Sequence, residues 1–254
     1  RRRRRCPYPL LVPGEASVTR PYAEAVTADL FGRSFAAVLF DLDGTLVDST
    51  PVVVRSWERW ALEERIDPTR LLGFHGVPAA AIVRLLLAEE PERWVEATAR
   101  IANLELEDTD GVVALPGAVE ALASVAGSAP DGHPWSAIAT SCDRDLYAVR
   151  VAAAGLDAPT VTVTASDVEH GKPAPDPWLL AARLVGVDPR DCLVVEDAPT
   201  GLRAAKAAGC DTLAVVTTTT VDELVATGDA DVVVADLSAV RFVPGPDGVR
   251  VTAS

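Results

Sequence analysis

The chain has 254 residues, 49% of them hydrophobic, and carries 37 acidic against 23 basic side chains, a net charge of -14. So much apolar content excludes a mainly disordered protein, and so much negative charge argues against general affinity for nucleic acid or an anionic membrane. A length of this order accommodates one large core, or a core with one modest insert.

Residues 1–34 hold no sustained pattern and are expected to be a poorly ordered extension, although 22–31 could make a short helix. The arginines at positions 1–5 look like the start of a secretion signal, but Pro7, Pro9, Pro13 and Glu15 interrupt any apolar stretch behind them. The four cysteines, Cys6, Cys142, Cys192 and Cys210, contain no CxxC pair and suit a reduced, cytoplasmic protein. No apolar run approaches the ~18 residues of a membrane span.

Residues 36–40 are unbroken apolar chain, the pattern of a strand buried on both faces. The run stops on Asp41-Leu42-Asp43-Gly44. In extended backbone Asp41 and Asp43 point the same way while Leu42 turns into the protein. A core strand thus delivers two carboxylates to its C-terminal end, where parallel sheets place their ligands. Two like charges that close are costly without a cation or proton between them, so the pair points to Mg2+ and an anionic substrate.

From residue 50 to 112 the period becomes helical, with Val52, Val53, Trp57, Trp60, Ala61 and Ile66 on one amphipathic helix. Residues 78–87 suit a second helix and 92–104 a third. An all-helical insert of this length exceeds an ordinary crossover and reads as a cap over the end of the sheet. Asp48 and Ser49 could cap its first helix, ahead of Pro51.

Beyond Pro116-Gly117 helices and strands alternate. Helices are expected near 118–126, 143–154, 176–185, 200–207 and 221–226, and strands near 135–140, 160–164, 192–196, 212–216 and 231–234. Their short, continuous apolar strands favour an α/β fold: a Rossmann-like parallel sheet core of three layers with an inserted all-helical cap domain. The core is expected over 35–49 and 113–254.

Other loops then join the aspartate pair. Thr140-Ser141 end one strand, Glu196-Asp197 end another, and a Pro-rich loop carries Lys172 between Gly171 and Pro173. Carboxylates suit a hard cation, lysine and hydroxyl groups suit phosphoryl oxygens, and a free carboxylate can attack phosphorus in line. Read singly, Thr140 or Ser141 could cap the helix from 143, Glu196 and Asp197 the helix near 200, and Lys172 could be an ordinary surface lysine. Cys142 beside the site reads as incidental.

In this order the motifs resemble those of the haloacid dehalogenase-like superfamily, over about residues 36–236. The resemblance rests on 41–49 (DLDGTLVDS), 171–177 (GKPAPDP) and 196–201 (EDAPTG). It implies that Asp41 is the nucleophile and that Asp43 protonates the leaving alcohol, then deprotonates the attacking water. It implies that Lys172 neutralises charge on Asp41 and the phosphoryl group, and that Thr140 hydrogen-bonds a phosphoryl oxygen with backbone N–H groups around Leu42 and Ser141. Mg2+ would be held by Asp41, the Asp43 carbonyl oxygen and Asp197, with Glu196 beside it.

The implied function is an Mg2+-dependent phosphatase acting on a small sugar or polyol phosphate through an aspartyl-phosphate, as a monomer or weak dimer. A phosphomutase of the beta-phosphoglucomutase type is the alternative, since it shares the core and differs in how the cap keeps a phosphorylated intermediate. A dehalogenase is disfavoured because that branch lacks the second aspartate. On the cap, His75 and Arg55 are candidates for touching substrate. Arg59 and Trp60 could also line the cap side, and the pair Trp57 and Trp60 could pack the cap internally or stack on a sugar.

Overall fold

The computed structural model describes residues 30–71 and 77–254. The chain enters through β1 (Ser34–Phe35) and β2 (Ala37–Phe40), followed by β3 (Val47–Asp48). Three helices come next, α1 (Thr50–Glu63), α2 (Ala79–Leu86) and α3 (Trp94–Glu107), before β4 (Val113–Ala114). Alternation then sets in with α4 (Ala118–Ser124), β5 (Ser136–Ala139), α5 (Arg144–Ala154), β6 (Val161–Val163) and α6 (Asp176–Val185). It continues through β7 (Cys192–Glu196), α7 (Pro199–Ala208), β8 (Asp211–Val215), α8 (Val221–Ala226) and β9 (Val232–Val234). A hairpin of β10 (Val240–Gly245) and β11 (Gly248–Ala253) follows.

Six strands pair in parallel in the order β6-β5-β2-β7-β8-β9. Successive side chains of a strand face opposite ways, so each strand feeds two cores. Val38 and Phe40 of β2 enter one cluster with Leu193 and Val195 of β7. Ala37 and Leu39 enter the other, with Val194 and with Trp178, Ala181 and Ala182 of α6. This two-sided burial is why the strands read as continuous apolar runs. The chain leaves β2 for β5 and β6 on one side, then returns to β7 on the other. The C-terminal ends of β5, β2 and β7 therefore flank the reversal of strand order, where open α/β sheets bind ligands.

The insert has a small core of its own, built from Trp60, Ile82, Val83, Ile101 and Leu104 among others. Trp57 and Trp60 meet edge to face with centroids 5.3 Å apart, and the Trp60 indole donates to the Ala97 carbonyl at 2.9 Å. The two strands through which the chain enters and leaves this region, β3 and β4, pair antiparallel, Val47 with Ala114 and Asp48 with Val113. No helix among the described residues is long and apolar enough to cross a membrane.

Two features depart from the sequence reading. Leu30 is fully buried and Ser34 pairs with Arg250, so chain assigned to the extension already belongs to the folded body. Most of the helix considered at 22–31 lies outside the described residues. The second departure is the antiparallel sheet β1-β11-β10, which had no counterpart. Its signal was present: Val240 and Phe242, then Val249 and Val251, alternate with exposed Arg241 and Arg250 about a Pro-Gly-Pro-Asp-Gly turn.

Candidate active site

Asp41 stands one residue past β2, Thr140 one past β5, and Glu196 and Asp197 at the end of β7. Lys172 reaches in from the loop before α6. All five line a single cavity of about 480 Å³, together with Asp43 and Ser141 and, from the insert, Val53, Trp57, Glu58 and Glu105.

Lys172 is the hub. Its ammonium donates to Asp41 Oδ1 at 2.5 Å and to Glu196 Oε1 at 2.8 Å, and sits 4.4 Å from the centroid of the buried Trp178 ring. The other oxygen of Glu196 accepts from the N–H groups of Asp197 and Ala198, both at 2.7 Å, which fixes the turn into α7. Asp197 accepts from Thr218 and, at 3.3 Å, from Thr45. Carboxylate oxygens of Asp41, Glu196 and Asp197 lie within 4.8 Å of one another, and all three residues are buried.

So dense a group of acids is electrostatically expensive. Burial pushes the Asp41 carboxyl up to about 7, against the pull of Lys172 and with help from Glu196. Burial, followed by the neighbouring Glu196 and Asp41, raises Asp197 well above the ordinary carboxylate range. The Lys172 ammonium is held in its charged form by Asp41 and Glu196, which outweigh its own burial. Three buried oxygen donors carrying more negative charge than one lysine offsets make a setting that suits a hard divalent cation.

Two glycines let these groups approach. Gly44 has φ +87°, and a Cβ there would strike the Asp197 carboxylate. A Cβ at Gly201, in the first turn of α7, would overlap the Glu196 carboxylate. Gly201→Ala is therefore expected to displace Glu196 and with it Lys172. The expected cost is about 1–3 kcal/mol of stability and at least tenfold in activity. Thermal denaturation and phosphate-release rates would check both, and an alanine variant indistinguishable from the parent would count against the packing argument.

Residues 35–209 match the family of haloacid dehalogenase-like hydrolases. The chain belongs to the haloacid dehalogenase-like hydrolase family. Among curated proteins, hexitol phosphatase A of Escherichia coli (strain K12) is 42% identical over 212 residues, covering 83% of this chain and 95% of its own. Fructose-1-phosphate phosphatase YqaB of the same strain is 34% identical over 188 residues, or 70% of this chain and 94% of that one. A solved hydrolase from Pseudomonas syringae superposes with a TM-score of 0.68 at 29% identity, over 80% of this chain and 94% of that one.

Not every residue singled out from the sequence reaches the cavity of this haloacid dehalogenase-like hydrolase. Arg55 does not line it: its guanidinium is held by both oxygens of Asp108, at 2.8 and 2.9 Å, and by the Asp110 carbonyl. Arg59 is likewise absent from the lining and pairs with Glu63 one helical turn on. Leu42, a candidate through its backbone N–H, buries its side chain fully in the core, and its carbonyl accepts from the Leu46 and Val47 N–H groups to shape the turn. His75 lies outside the described residues.

Capping roles also differ from those weighed. The helix α5 is capped by Asp143, which accepts from the Leu146 N–H at 2.9 Å, leaving Thr140 and Ser141 free of that task. Thr140 instead accepts from the Cys142 N–H at 3.2 Å, and its hydroxyl lies 3.1 Å from the Cys142 sulfur. Ser49 makes no side-chain cap for α1 and donates to Asp43 Oδ1 at 2.8 Å, while Asp48 accepts from the Thr50 N–H.

The residue that sequence reasoning missed is Arg150. From α5 it donates to Asp43 Oδ2 at 2.7 Å and to Glu105 of α3 at 3.1 Å, with its side chain 6% exposed. A lone arginine on the buried side of a core helix, in phase with Leu146, was the available signal. Burial raises the Glu105 carboxyl despite this arginine.

Proposed function

We propose that this enzyme removes the phosphoryl group from a small sugar or polyol monophosphate, with Mg2+ as cofactor and Asp41 as nucleophile. The observation that carries the reading is the meeting of Asp41, Asp43, Lys172 and Asp197 in one cavity that is roofed by the helical insert. The names of its relatives support the substrate class: one is a hexitol phosphatase and one a fructose-1-phosphate phosphatase. In this reading residues 50–112 are the cap, and residues 35–49 and 113–254 the core that performs the chemistry.

An Asp41 carboxylate oxygen attacks phosphorus in line, the bond from phosphorus to the sugar oxygen breaks, and Asp43 gives that oxygen its proton. Asp43 then takes a proton from water, whose oxygen attacks the aspartyl-phosphate and frees Asp41 and inorganic phosphate. Ser49 and Arg150 donate to the two oxygens of Asp43 and hold it as an acceptor, the posture required for the second step. Lys172 offsets charge shared between Asp41 and the transferring group. Thr140 and the N–H groups of Leu42 and Ser141 would receive the phosphoryl oxygens.

Asp41, Asp197 and the Asp43 carbonyl would hold Mg2+, with Glu196 beside them. When bound, the ion would neutralise charge on the phosphoryl oxygens. The raised acids give this a measurable sign. Between 3.8 and about 7 the folded chain keeps a proton on Asp41 that the unfolded chain has lost, so this group's contribution to stability falls as pH rises through that window. Mg2+ must displace such protons, and the gain in Tm on adding it should be larger at about pH 8 than at about pH 6. Equal gains at both would contradict the assignment.

The function itself is tested by phosphate release from a panel of hexitol, hexose and glycerol phosphates, with Mg2+ and with a chelator. Metal-dependent release from neutral sugar or polyol phosphates is expected. Isomerisation of beta-glucose 1-phosphate outpacing release would replace the phosphatase by a mutase. We assign the enzyme to the cytoplasm, in keeping with three free, buried thiols at Cys142, Cys192 and Cys210. With a net charge of -14 it would act without nucleic acid or membrane, as a monomer or weak dimer.

A further inference from the structure

We propose that Glu58 makes the cap side of the cavity select an uncharged, hydroxyl-bearing leaving group and reject monophosphates that carry a second anionic group. The inference rests on the phosphatase reading above and narrows its substrate class.

The cavity has two chemically different ends. The core end holds the lysine, the acids and the hydroxyls just described. The cap end is mostly apolar, walled by Val53, Ile82, Ile101 and the Trp57 ring, and among the described residues its charged members are Glu58 and Glu105. Its volume of about 480 Å³ lies in the range that takes a small ligand.

Basic side chains that could greet a second anion are already engaged. Among the described lining residues they are Lys172 and Arg150. Lys172 is bonded to Asp41 and Glu196, and the two terminal nitrogens of Arg150 to Asp43 and Glu105, which offset its charge, although its Nε has no partner among the described residues. A carboxylate or second phosphate entering the cap end would meet the carboxylate of Glu58, which has no ion pair among the described residues, while both cations of the lining are already compensated by two carboxylates each. Like charges brought together in such a setting are strongly unfavourable.

Glu58 adds a positive preference. Its Oε1 is shielded from solvent and, among the described residues, has no hydrogen-bond partner. A buried acceptor left without a donor is costly, and a ligand that brings the donor recovers the loss. A sugar or polyol hydroxyl brings one; a carboxylate or phosphate has none to give. The same wall therefore attracts hydroxyls and repels anions. A mutase working through a bisphosphate would need the opposite lining at this end.

The experiment compares substrates matched in chain length: D-glucitol 6-phosphate with 6-phosphogluconate, and glycerol 3-phosphate with 3-phosphoglycerate. Wild-type enzyme with Mg2+ is expected to favour the neutral member of at least one pair by at least about tenfold in kcat/KM. In Glu58→Gln, which keeps an acceptor and removes the charge, that ratio should shrink at least about fivefold, chiefly through the anionic substrate. Equal kcat/KM within both pairs for the wild type overturns the proposal and leaves the phosphatase reading standing. An unchanged ratio in a folded Glu58→Gln enzyme also overturns the role of Glu58. If neither these nor any other monophosphate is hydrolysed, both readings fall together.

Discussion

Asp41→Asn is expected to lower phosphate release at least about ten-thousandfold while leaving the fold intact, because an amide cannot form the acyl phosphate that the reaction passes through. The substitution keeps the shape of the side chain and an oxygen able to accept from Lys172, which retains Glu196 as a charged partner. It removes a carboxyl that burial has pushed up to about 7, so Tm should hold or rise. Acid quenching of wild-type enzyme during turnover should trap a phosphoryl group on the peptide containing Asp41, and none in the variant. Activity within tenfold of wild type, or a trapped group on another peptide, would remove Asp41 from its role.

Lys172→Met is expected to damage both stability and catalysis, whereas Asp41→Asn spares stability. The ammonium lies between Asp41 and Glu196 with its side chain 4% exposed, and methionine fills similar volume without charge. Removing one member of a buried ion pair costs about 3–5 kcal/mol, because the remaining charges lose their compensation. Here Asp41, Glu196 and Asp197 would face one another with only protons to neutralise them. Activity should fall at least about a thousandfold, since charge building on the phosphoryl group loses its counterion. Mg2+ should raise the Tm of the variant by more than that of wild type, being the remaining source of positive charge. A variant as stable as wild type without metal would show the lysine to be dispensable to the acid cluster.

The parallel sheet and the motifs at its strand ends were legible because each has a physical cause visible in one dimension. Strands buried on both faces are unbroken apolar runs, as in β2 and β7, and a run that stops on carboxylates has to be compensated by something. What escaped was set by three-dimensional neighbours. Arg150 reads as one more charge on a helix, and only the approach of α3 explains why it is buried against Glu105. Ser49 fits a helix cap equally well by spacing, and the nearness of Asp43 decides otherwise. Arg55 has the chemistry to bind phosphate, but Asp108 lies closer in space than any sequence rule indicates. The hairpin of β10 and β11 alternates as a half-exposed pair does, but its third strand, β1, lies at the other end of the chain, and no linear pattern pairs Ser34 with Arg250.

That hairpin bears on how the molecule forms. Phe40, one residue before the nucleophile candidate, packs edge to face on Phe242 with centroids 5.6 Å apart, and β1 is closed by β11. The strand made early thus waits for a cover made some 200 residues later, a contact of very long range that slows folding. During synthesis this face of β2 has only part of its cover, from α4 and α5, until the hairpin has emerged, and over that interval a chaperone or a neighbouring nascent chain can reach it.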